Sequence, residues 1–132
     1  MKTKSILTLV VVCILNISCK KEKSRICELY SNDVEYTIGT VQSITSSAFK
    51  ATYNYDYSVL GINFKGKMKA YGIGQGNERF IGKQFVVIYE IGNESNSDLN
   101  TNYLIESEQD FEDFKSEFSS GPPPPNFPNN CK

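Results

Sequence analysis

Residues 49–60 read Phe-Lys-Ala-Thr-Tyr-Asn-Tyr-Asp-Tyr-Ser-Val-Leu. Phe49, Ala51, Tyr53, Tyr55, Tyr57 and Val59 occupy one side of a period-two alternation, and Lys50, Thr52, Asn54, Asp56 and Ser58 the other. A helix would scatter those large side chains around its circumference, whereas a strand gathers them on one face. Aromatic and β-branched residues also suit a pleated, half-buried surface. The segment therefore predicts a strand with one buried and one wet face. Gly61 supplies a turn after it. Ile62–Tyr71 alternates again, with Ile62, Phe64, Gly66, Met68 and Ala70 opposed to Asn63, Lys65, Lys67, Lys69 and Tyr71, as expected of an antiparallel strand facing water on one side.

The same period precedes this pair. From about Glu35, Tyr36, Ile38, Thr40 and Gln42 alternate with Thr37, Gly39, Val41 and Ser43, until Thr45-Ser46-Ser47 breaks the run. Downstream, Gln84–Ile91 is the most apolar segment and predicts a central strand, and Asn102–Glu106 predicts a short fifth one. Gly72–Asn77 is expected to be a hairpin loop and Gly92–Asp98 a polar loop. The period then becomes helical. Ser107 with Asp110 is a variant of the capping box, and Phe111, Phe114 and Phe118 share one helix face. Gly121 marks the stop, and Pro122–Pro125 favours polyproline II. The expected fold is mainly β: a small five-stranded SH3-like or OB-like barrel, or a curled antiparallel sheet, with one C-terminal α-helix.

The N-terminus reads as an address. Lys2 and Lys4 precede an apolar run from Ile6 to Ile17. That is about a dozen residues, too short for a spanning helix of roughly 20 and suited to a secretory core of roughly 7–15. Ser18-Cys19 follows, then Lys20-Lys21-Glu22-Lys23. A small residue before a cysteine at this place resembles the bacterial lipobox, and the Ser-Cys-Lys-Lys start resembles lipoproteins of the Bacteroidota. Asn16 stands where a leucine is usual, with Leu15 one place back. The resemblance implies cleavage before Cys19, acylation of its sulfur with palmitate-type chains, and anchoring in a membrane of the cell envelope. Lys20, rather than aspartate, after the cysteine implies the outer membrane. The expected organisation is a signal peptide over 1–18, a lipid-anchored tether over 19–34, a β domain with its helix over 35–120, and a proline-rich tail over 121–132.

Cys13 leaves with the signal peptide and Cys19 is assigned to lipid. Cys27 and Cys131 remain, one near each end of the mature chain. In an oxidising compartment a disulfide between them is expected, with two free thiols as the alternative. Neither zinc spacing nor a Cys-x-x-Cys pair is present.

Histidine is absent, which removes the usual base near neutral pH, the usual partner of a nucleophilic serine or cysteine, and the commonest metal ligand. Cleavage after residue 18 takes two of the 14 basic residues, Lys2 and Lys4, and leaves 12 against 15 acidic ones, a net charge near −3. That balance argues against a nucleic-acid partner. Gly72-x-Gly74-x-Gly76 opens no predicted helix and so lacks the context of a phosphate loop. Asn93–Asp98 has too few carboxylates in order for calcium. Lys65, Lys67 and Lys69 form a basic stripe that could meet an anionic glycan or headgroup, or simply solvate an edge strand. The Tyr53, Tyr55, Tyr57 ladder is the best candidate binding face in the chain, but core or cross-strand packing is the preferred reading of it. No metal, cofactor or catalytic residue is assigned.

The order Thr37-Ile38-Gly39-Thr40-Val41, the tyrosine strand, Gly61-x-x-Phe64-x-Gly66, Gly82-Lys83-x-Phe85-Val86-Val87-x-Tyr89 and Asn93-x-x-Asn96-Ser97-x-Leu99 resembles a bacterial family of unknown function. Its members form short β-barrels in membrane-tethered proteins. They usually carry proline where Glu94 follows Asn93. The resemblance spans roughly residues 35–105 and brings no catalytic residues with it. The expected role is a non-catalytic binding or structural module of the envelope, with a protein or glycan partner. A hydrolase working through paired carboxylates, for which Asp56 and Glu90 are the strand acids, is the alternative, and an immunity or inhibitor lipoprotein a further one.

Overall fold

The computed structural model describes residues 21–126 and 131. Cys19, Cys13 and the apolar leader lie outside the described residues.

The tyrosine segment is strand β2 (Lys50–Val59), flanked in sequence by β1 (Val34–Ser46) and β3 (Ile62–Tyr71). The three pair antiparallel, with Tyr55 opposite Val41 on one side and Gly66 on the other. Leu60 and Gly61 make the tight β2–β3 turn, both with positive φ (50° and 81°), the geometry that matches the twist of a two-residue hairpin. Gln42 is an extra residue between Val41 and Ser43 in the β1–β2 register, and such a bulge bends and twists its strand.

Strand β4 (Gln84–Glu90) pairs with the other side of β1, and β5 (Asn93–Leu104) with β4, giving the order β3-β2-β1-β4-β5. Central position therefore belongs to β1. The segment after β3 is not a hairpin loop. It leaves an edge strand and crosses to β4, turning at Gly72 and Gly74 (φ 127° and 71°) and through a 3₁₀ turn at Glu78–Phe80. The sheet curls into a half-barrel, bringing its edge strands β3 and β5 close to each other.

The expected polar loop at Asn93–Asp98 is a second correction: it is the first half of the twelve-residue β5. Its polar residues stay in a strand because their partners are inside the protein, and Ser97, Asp98 and Asn100 are buried.

Two apolar clusters hold the sheet. Inside the curl, Val41, Tyr53, Tyr55, Tyr57, Met68, Phe85, Val87 and Leu99 pack together. On the outer face, Val86 and Ile88 pack with Ile105 and Phe114, with Tyr36, Tyr103, Phe111 and Phe118 around them. The cover is the C-terminal helix (Glu108–Glu117), whose start carries the complete Ser107/Asp110 capping box. Strand β4 reads as one apolar run because both of its faces are covered. Since the chain has a further helix, the C-terminal one is labelled α2.

That further helix, α1, covers residues 21–31, where a charged tether was expected. Ile26 and Leu29 are buried, at 3% and 0% exposure, and their three-residue spacing puts them on one helix face. Charge on the other face hid the pattern. The tail behaves as a strut: Pro123 is buried, and Pro124 O accepts a bond from Asn100 Nδ2 at 3.2 Å. Cys27 Sγ and Cys131 Sγ stand 2.14 Å apart as a disulfide between α1 and this tail.

Candidate functional site

The seam between β3 and β5 is where the half-barrel remains open, and α1 lies across it. Beneath α1 is a cavity of about 120 Å³ lined by Glu22, Ile26, Met68, Lys69, Ala70, Tyr71, Gln75, Asp98 and Asn126. Each wall follows from local structure. Glu22 and Ile26 are one helical turn apart on α1. Met68 and Ala70 are alternate residues of β3, and Asp98 comes from β5. Asn126 is held by the tail, with Nδ2 donating to Thr101 Oγ1 at 2.6 Å, while its buried Oδ1 has no hydrogen-bond partner.

Polar bonds fasten α1 to β5. Arg25 donates to Asn96 Oδ1 at 3.0 Å and Ser97 O at 3.2 Å, and pairs with Glu22 at 2.8 Å. Burial works against the charge of Arg25, but Glu22 first and Asp98 after it outweigh that and hold the guanidinium above its ordinary value. Tyr30 Oη donates to Asp98 Oδ2 at 2.9 Å. Burial, then the Asp98 charge, raises the Tyr30 phenol. Asp98 itself is 3% exposed. Desolvation pushes its carboxyl up to about 7, against the lowering effects of Tyr30 and Arg25.

This has a measurable consequence. A buried carboxyl that titrates near 7 when folded and near 3.9 when unfolded keeps its proton longer in the folded chain. Its contribution is complete below about pH 4 and is lost as pH rises to about 7, at no more than ~1.4 kcal/mol per pH unit. With no histidine in the chain, few other groups titrate in that window. The melting temperature should therefore fall between about pH 5 and 7 and level off above that, and Asp98→Asn should flatten the fall. Parallel pH profiles for wild type and variant would exclude Asp98 as its source.

The tyrosine ladder packs in the core, as the preferred reading of the sequence has it, and is not a contact face. Tyr53, Tyr55 and Tyr57 are 3%, 1% and 4% exposed. Each ring crosses the interior and ends on a polar partner: Tyr53 Oη donates to Gln75 O (2.6 Å), Tyr55 Oη bonds Ser97 Oγ (2.7 Å), and Tyr57 Oη donates to Glu94 O (2.6 Å). The inside of a curled sheet needs side chains long enough to reach its far wall, and tyrosine supplies that reach with a hydroxyl to satisfy at the end.

Of the lysine stripe, Lys65 and Lys67 are exposed and Lys69 is half-buried, all on the edge strand β3. Lys65 stands opposite Asp56 in the β2–β3 register. Here the outer face is not covered by α2. Two open grooves of about 500 and 410 Å³ cross it, sharing Asp56 and Lys65, with Thr40, Ser58 and Asn63 in one and Ser43, Asn54 and Lys67 in the other. Glu90 is apart from Asp56, accepting bonds from the amides of Asn32 and Asn96, both at 2.9 Å. The two strand acids are thus not brought together. The acids that do share a cavity, Glu22 and Asp98, were hidden in segments read as tether and loop. The signal available for the first was the Ile26/Leu29/Tyr30 spacing. Among the described residues no group of three His, Cys, Asp or Glu side chains could hold a metal ion. No protein family, curated protein or solved structure matches this chain.

Proposed function

We propose that the chain is an exported lipoprotein of the cell envelope whose β domain is a non-catalytic binding module held directly against the bilayer. The observation that carries this reading is a spacing. Glu22 already lines the cavity under α1, and it follows the lipobox-like Cys19 by three residues. Three residues reach at most ~11 Å, so an acyl group on Cys19 leaves the domain almost no slack. The uncovered polar half of the outer face, with its lysine, hydroxyl and amide groups, is the surface offered to a protein or glycan. Placement in the outer membrane follows from Lys20, by resemblance to bacterial sorting signals.

A hydrolase reading would use Glu22 and Asp98, the carboxylates that share a cavity. Its volume is about 120 Å³, below the roughly 300–1,000 Å³ of ligand pockets, and Glu22 is engaged by Arg25. The binding reading is therefore preferred. Intact-protein mass spectrometry of the membrane fraction tests it. The expected mass is that of residues 19–132 plus acyl chains, with two hydrogens gained on reduction. A soluble, unacylated species, or one that keeps its leader, would overturn the anchor.

A further inference from the structure

The β1–β2 turn and the loop after β3 lie side by side, joined by Gly72 N–H donating to Phe49 O at 2.8 Å. Each presents a large apolar side chain to solvent: Phe49 is 62% exposed and Ile73 81%. Neither is needed to close a turn, since Ser47 and Lys50 bond across the first and the glycines shape the second. The start of α1 is at this same end of the half-barrel, because Glu22 shares a cavity with Tyr71 and Gln75, the residues that bracket Ile73. Lys21 and Lys23 flank Glu22 in sequence. Lys50 follows Phe49 directly and stands opposite Tyr71, and Lys69 lines the same cavity as Glu22. Of the two acids in that cavity, Glu22 is paired with Arg25 and Asp98 is buried beneath Tyr30, while Glu78 is exposed further along the same loop.

We infer that Phe49 and Ile73 form a membrane-contact surface, two apolar tips that enter the headgroup region of an anionic bilayer while the surrounding lysines meet its phosphates. The inference rests on the anchored reading and adds an orientation to it. Apolar tips within a collar of lysine suit an interface whose inner part is hydrocarbon and whose outer part is negatively charged. The anchor at Cys19 and the two tips then engage one surface together, which raises the effective concentration of the tips at the bilayer. The β2–β3 turn, with Leu60 98% exposed, is at the far end of ten-residue strands and points away from that membrane.

The chain contains no tryptophan, so single replacements report on one place each. Full-length acylated F49W, I73W and L60W would be incorporated into vesicles of phosphatidylethanolamine and phosphatidylglycerol, with and without brominated acyl chains, and flotation recorded alongside emission. F49W and I73W should shift to the blue and lose most of their emission to the brominated lipid, while L60W should emit as it does in buffer. If the acylated protein floats but F49W and I73W remain unshifted and unquenched, the contact surface is wrong and the anchor stands. If the chain carries no acyl group and does not float, the anchored reading falls and the surface falls with it.

Discussion

Replacing Cys131 with serine should lower the melting temperature by roughly 10–20 °C, the scale of a 2–4 kcal/mol loss in a domain of this size. Cys27 and Cys131 are 104 residues apart, so the bond closes a loop that spans nearly the whole folded body. In the chain-entropy account a loop of ~100 residues is worth up to ~4.7 kcal/mol. The folded state has its own share in the loss. The bond clamps α1 to the tail, and these two segments cover the outward groups of β5, Asp98 under Tyr30 and Asn100 against Pro124. Loosening either segment lets water reach buried polar groups and Pro123. The check is thermal unfolding followed by circular dichroism, for wild type with and without reductant and for C131S without it. Reduced wild type and the variant should unfold together, well below oxidised wild type. A melting temperature indifferent to reduction would mean that the bond contributes nothing to stability.

What could be read from residue order follows from how locally each element is determined. Strands β2 and β3 were legible because one face of each is apolar and the other is not, so their period is visible within ten residues. Helix α2 was legible for the same reason at the helical period, with Ser107 and Asp110 marking its start. Strand β4 was legible as an interior strand, and it lies between β1 and β5; a run buried on both faces says that it is covered, not which strands flank it. The two elements that build the cavity failed differently. The first half of β5 is a chain of asparagine, serine, glutamate and aspartate, whose local preference is for turns. It is extended because Tyr55, Arg25 and Tyr30 meet Ser97 and Asp98 from 42, 72 and 68 positions away, and no window of sequence contains those partners. Helix α1 is short, and its charged residues resemble a linker until Ile26 and Leu29 are seen to face the seam. Of the candidate residues, Cys27 and Cys131 could be paired by counting. The inward direction of the tyrosines was legible from the alternation, while the far-wall groups that their hydroxyls reach depended on the curl.

Tyr55→Ala should cost roughly 3–5 kcal/mol, by comparison with other buried aromatic truncations, and should be the most damaging single change in the interior. The ring is 1% exposed and its hydroxyl bonds Ser97 Oγ. The far end of the ring also stands against Gly66, its cross-strand partner on β3, so that any Cβ added there would overlap the ring. A ring of this length bridges β2 to β5 only because β3 yields the space of a side chain. The two residues are therefore one structural unit, and their effects should not add. Gly66→Ala alone should destabilise by about 1–3 kcal/mol through overpacking. In a Tyr55→Ala background the same change should be close to neutral or stabilising, since the added methyl then occupies vacated space. Tyr55→Phe separates the hydroxyl from the ring: it leaves Ser97 Oγ without this partner and should cost about 1–3 kcal/mol. Urea unfolding of the four proteins in the cycle measures the coupling. Additive free energies for Tyr55→Ala and Gly66→Ala would mean that the ring does not rest on Gly66, and that the half-barrel is held together by something other than this bridge.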